Sequence, residues 1–185
     1  MKQIHLMFYK FYKMDSGASI IQTVILYLQV LLFGLKYNHI SIALEDEERT
    51  KGKKLYKCYD IVFGTTPKKV MRETMNCDEY ISMYVTRDEY KRIMNYLENE
   101  VSKKTDYNYK AYFWNYFPFI RNYPIKGSGL LCFQLILYSL VSARILNLNG
   151  IRTYCLKIED VKRLIYNRCS NRLLGPNDFD IVVKQ

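Results

Sequence analysis

The stretch from His39 to Phe63 limits the fold more than any other. His39-Ile-Ser-Ile-Ala-Leu44 alternates with period two, setting Ile40, Ile42 and Leu44 on one face and His39, Ser41 and Ala43 on the other. A charged run, Glu45 to Lys54 with Gly52 near its end, reads as an exposed loop. Leu55 to Phe63 then returns as a second strand, closed by Gly64. An antiparallel hairpin with one apolar face is not stable alone, so the chain must supply cover for that face. If the ten-residue loop joins the strands symmetrically, Leu44 pairs with Leu55 and His39 faces Asp60. Directly opposed side chains have Cβ atoms about 5 Å apart. A two-residue slip would set Cys58 there instead, and a one-residue slip would turn the wrong face inward.

The cover is legible as helices. Thr86-Arg-Asp-Glu89 is a capping box, and Tyr90, Ile93, Met94, Leu97 and Val101 follow at helical spacing. A turn, Pro124 to Gly129, leads into an apolar helix from about Leu130 to Leu146, ended by Asn149-Gly150. A last helix is expected over Ile158 to Arg168 and a terminal strand over Asp178 to Val183. Short strands fit Val70 to Thr74 and Tyr80 to Val85, while the aromatic stretch Tyr107 to Tyr123 reads as irregular or as short helices. With 185 residues, no repeat and no linker-like stretch, the expectation is one α+β domain.

Composition narrows the function classes. Net charge +10 favours anionic partners, but the basic residues are scattered and accompany no recognised nucleic-acid-binding motif. The five cysteines are odd in number, widely spaced and without a CxxC pair or a histidine at ligand spacing. Free thiols in a reducing, cytoplasmic setting are the expectation, and neither a metal nor a cofactor is implied. The first twelve residues are basic and aromatic but lack a small-residue cleavage site, so they do not read as a secretory signal. Ala18 to Leu35 is apolar and close to the shortest membrane span. Its Gln22, Gln29 and Thr23 favour a short strand followed by a buried helix.

Three residues carry candidate chemistry. Cys132 follows a glycine-containing turn at the head of a helix, where unsatisfied amides and the helix dipole favour a thiolate. Placed between Leu131 and Phe133, it also fits an ordinary core cysteine. His39, at the start of a strand and off its apolar face, is placed as a general base or as a surface histidine. Asp60 would orient the imidazole if the register holds.

Taken in order, Gly17-Ala-Ser-Ile-Ile21, Asn38-His-Ile-Ser-Ile-Ala43, Asp106-Tyr-Asn-Tyr109 and Leu131-Cys-Phe-Gln-Leu135, with Asn149-Gly-Ile151 closing the helix, form a pattern. This pattern resembles the circularly permuted branch of the NlpC-type papain-like cysteine hydrolases, which includes lecithin retinol acyltransferase, and it is most similar to the poxvirus-type members. The resemblance implies a single permuted papain-like domain over 1–185, its core about 17–155 and its extension 156–185. A small antiparallel sheet would pack on helices, one bearing the cysteine. It also implies Cys132 as nucleophile, His39 as base, Asp60 as orienting residue and Tyr107 beside the cleft. Phe133 departs from bacterial relatives, which have serine after the nucleophile. The implied activity is hydrolysis of an amide or ester through a thioester, in a host cytoplasm or virion if the protein is viral. The alternatives are a lipid acyltransferase or phospholipase-like relative, and a catalytically silent binding module. The implied partner is a peptide-like or acylated-lipid substrate, with an anionic membrane surface as a further one.

Overall fold

The computed structural model describes residues 1–10, 24, 34–46, 54–62, 65–108, 110–111 and 129–170. Among these it is an α+β structure. An antiparallel sheet of five strands comprises β1 (Lys2–Tyr9), β2 (His39–Asp46), β3 (Leu55–Asp60), β4 (Lys68–Arg72) and β5 (Glu79–Val85), ordered β4-β3-β2-β1-β5. Three helices follow: α1 (Arg87–Lys103), α2 (Cys132–Ser142) and α3 (Ile158–Cys169).

The N-terminal segment, given no strand from the sequence, lies inside the sheet. β1 pairs with β2 on one side and β5 on the other. Ile4, Leu6 and Phe8 enter the main core, whereas Met7 and Tyr9 enter a second cluster with Ala43, Tyr56 and Cys58. A strand buried on both faces shows no apolar–polar alternation, so its signal is a bare apolar run.

The main core lies between the Ile4/Ile40 face of the sheet and the helices. α2 is apolar nearly all round, with Leu135, Ile136, Leu137 and Leu140 at most 1% exposed, and it packs on β2 and α1. α1 begins as expected: Thr86 Oγ1 accepts from the Glu89 amide at 3.2 Å, and Glu89 Oε2 accepts from the Thr86 amide at 2.8 Å. α3 docks on β5 through Lys162, which pairs with Glu79, a residue that also accepts from the Tyr37 hydroxyl.

Several expected boundaries move. β2 continues through Glu45 and Asp46, so the pairing is Asp46 with Leu55 and Ile42 with Tyr59, two residues from the symmetric hairpin. The two carboxylates are tolerated in the ladder because Lys54 and Lys57 pair with them at 3.3 and 3.1 Å. β4 is Lys68–Arg72 and not Val70–Thr74. α2 stops at Ser142 instead of reaching Leu146, because Arg144 turns to φ +61° and the Ile145 amide bonds back to the Leu140 carbonyl. The strand and helix expected over Ala18 to Lys36, the terminal strand at Asp178 and most of the aromatic stretch lie outside the described residues, apart from helical Val24 and residues 34–36. No helix among the described residues is long and apolar enough to cross a membrane.

Candidate active site

Three elements bring Cys132, His39 and Asp60 together. Cys132 is the first residue of α2 and His39 the first of β2. Placement at element ends lets a residue from each side of the sheet meet at its rim. The imidazole of His39 lies within hydrogen-bonding reach of the Cys132 thiol. On its other side His39 Nε2 stands 2.6 Å from Asp60 Oδ1.

The Asp60 contact forms in a register other than the one expected. Continued one step, the observed ladder sets Asp60 opposite Ser41, not opposite His39. Asp60 is therefore the diagonal neighbour of His39 on the same face. Diagonal neighbours are about 7–8 Å apart with their Cβ atoms somewhat closer, a gap the imidazole ring and the carboxylate together span. Because the slip is even, the face is conserved and the pair survives. Cys58, the alternative third residue, pairs instead with Ala43 and lies in the second apolar cluster, where burial pushes its thiol up to about 11.

Electrostatics distinguish this histidine. Burial by itself would lower its pKa, but the Asp60 charge and hydrogen bond, with a further contribution from Cys132, raise it to about 10. The carboxylate thus holds the imidazole in its charged form. Cys132 is 7% exposed and His39 5%, so the pair is nearly desolvated.

Three further side chains surround His39 and the head of α2. The Tyr9 ring packs on His39 at 5.5 Å between centroids, and its hydroxyl is 3.1 Å from Ser41 Oγ. Ser41 was readable as a face-mate of His39; Tyr9 was not, because its strand was not. Gln134 completes the head of α2, its Oε1 accepting from the Leu131 amide at 2.9 Å and its Nε2 donating to Thr153 Oγ1 at 3.1 Å.

Tyr107 sits beside this helix start. It forms a parallel bridge with Leu130: the Leu130 amide bonds the Asp106 carbonyl at 2.9 Å and the Asn108 amide bonds the Leu130 carbonyl at 3.1 Å. Gly129 makes the approach possible, with φ +108° and a hypothetical Cβ only 2.4 Å from the Asp106 oxygen.

No family model, curated protein or solved structure matches this chain.

Proposed function

We propose that the protein is a thiol-dependent acyl hydrolase of permuted papain-like type, using Cys132 as nucleophile, His39 as proton acceptor and donor, and Asp60 to orient the ring. The observation that carries this reading is the convergence of a helix-heading cysteine on a histidine whose far nitrogen is held by a carboxylate at 2.6 Å.

At rest His39 already holds the Cys132 proton, giving a thiolate–imidazolium pair steadied through the ring by Asp60. The thiolate attacks the carbonyl carbon of an amide or ester, forming a C–S bond and an oxyanion. First-turn amides of α2, Cys132's among them, have no carbonyl one turn earlier to bond and are the natural donors to that oxyanion. Collapse breaks the C–N or C–O bond, and the leaving amine or alkoxide takes the proton from His39. Water, giving its proton to His39, then cleaves the thioester and returns the thiol. An alcohol or amine acceptor in place of water makes the same site an acyltransferase. Tyr107, beside the helix head, would line the acyl side of the cleft.

Alkylation by iodoacetamide, read by mass spectrometry, tests this. By exposure alone Cys77 and Cys155 react before the buried Cys132. The proposed site reverses that order, and His39→Ala slows Cys132 labelling by about tenfold or more. Labelling in order of exposure, unaltered by His39→Ala, would falsify the hydrolase reading. It would also favour the second reading, a silent binding module, to which the near-burial of both groups lends support.

A further inference from the structure

His39 opens β2, and the β2–β3 register ends three residues later at Ile42. Among the described strands, only β1 therefore pairs with His39, through Tyr9. The backbone just before His39 must supply the rest of its hold, and each amide there is bound. Glu159, in the first turn of α3, accepts from the Lys36 and Tyr37 amides through Oε1, at 2.6 and 3.1 Å. The Asn38 amide donates to the Tyr9 carbonyl at 3.0 Å. A carboxylate shared by two successive amides makes charge-assisted bonds that fix a short stretch of chain. One turn further along α3, the Lys162 ammonium donates to the Tyr37 hydroxyl at 3.3 Å and pairs with Glu79 of β5, which accepts from that hydroxyl. The entry to β2 is thus tied to α3 at its backbone and through the buried Tyr37 side chain, although 122 to 123 positions separate the partners.

Fold stability alone does not account for Glu159. Its other oxygen, Oε2, is buried with no hydrogen-bond partner among the described residues, and an unpaired buried oxygen costs free energy. We propose that Glu159 is a positioning residue for His39: by holding the Lys36 and Tyr37 amides it sets the imidazole between Asp60 and the Cys132 thiol. α3, which gives no group to the candidate triad, then belongs to the scaffold of the site. The meaning of this for catalysis rests on the hydrolase reading, whereas the placement of the ring is measurable without it.

Proton NMR of the His39 ring and iodoacetamide labelling of Cys132 test this in the full chain. Glu159→Ala removes the acceptor and keeps a helix-forming residue. Glu159→Gln keeps an acceptor oxygen without the charge, so it separates the tie from electrostatics. Ile165→Val trims the buried face of the same helix and leaves the amides bound. With Glu159→Ala the His39 midpoint should fall by at least about half a unit, a roughly threefold weaker hold on its proton, and Cys132 labelling should slow about threefold. Glu159→Gln should restore most of both, and Ile165→Val should move neither. Tyr37→Phe keeps the buried ring and drops the hydroxyl tie; it should shift the midpoint the same way, and it replaces Glu159→Ala if that variant does not fold. An unmoved midpoint, or an equal fall in Glu159→Gln or Ile165→Val, overturns the proposal. A midpoint that falls as expected while the cysteines of every variant, and of the unaltered chain, label in order of exposure supports the positioning role and counts against the hydrolase reading alone.

Discussion

His5 and His39 are both nearly inaccessible, yet their surroundings move them in opposite directions. His5 is enclosed by the Tyr56 and Tyr80 rings, with Nδ1 2.7 Å from Ser82 Oγ, and burial pushes its pKa down to about 4. His39 suffers the same desolvation, but Asp60 more than offsets it and the pKa rises to about 10. Since the chain has only two histidines, proton NMR can follow each ring separately. Neither should titrate between pH 6 and 8, His5 being neutral and His39 charged throughout. A ring with its midpoint near 6.5 would show that its assigned neighbours are absent in solution. Asp60→Asn should bring the His39 midpoint down by at least about one unit, since the charge that lifts it is gone.

Elements place these residues, and two substitutions probe the placement. Gly129 is where the chain before α2 presses against the backbone of Asp106, at a positive φ that L side chains rarely adopt. Gly129→Ala should cost about 1–3 kcal/mol in denaturant unfolding and slow Cys132 alkylation, because the shift needed to admit the methyl group displaces the helix head. Unchanged stability and labelling would mean the bridge to Tyr107 does not hold α2. In β1, Phe8 is fully buried and packs on Tyr37 at 5.4 Å between ring centroids. Phe8→Ala should cost about 3–5 kcal/mol, the expected penalty for emptying a core site. A cost below about 1 kcal/mol would be incompatible with an interior strand.

For the molecule as a whole, the two histidines contribute to opposite limbs of the pH–stability curve. His39 binds its proton more tightly folded than unfolded. Its contribution is complete below pH 6.5 and is lost as pH rises from there through about 10. His5 binds its proton less tightly when folded, so its contribution is complete above 6.5 and is lost as pH falls through about 4. Thermal unfolding should therefore show greatest stability near pH 6.5. Asp60→Asn should flatten the alkaline limb and His5→Gln the acid one. If each substitution lowers stability equally at every pH, these histidines do not contribute to the limbs.

Local patterns were enough for much of this architecture. The Thr86 capping box, the period-two run from His39 and the apolar helix headed by Cys132 depend on neighbours within a few residues, and each appears where those neighbours require. So do the positions of Cys132, His39 and Asp60, because a helix head, a strand start and a returning strand are local positions. The meeting of those residues is a long-range matter. Two added rungs in β2 moved Asp60 from opposite His39 to its diagonal, and only the paired lysines on β3 and its flank made carboxylates acceptable there. β1 was illegible for a related reason: apolar on both faces, it becomes recognisable as a strand only when β2 and β5 close on it. Charge followed the same division. The sequence by itself determined that the protein is basic, whereas tertiary packing decided that one buried imidazole keeps its proton, since that depends on distances between segments far apart in the chain.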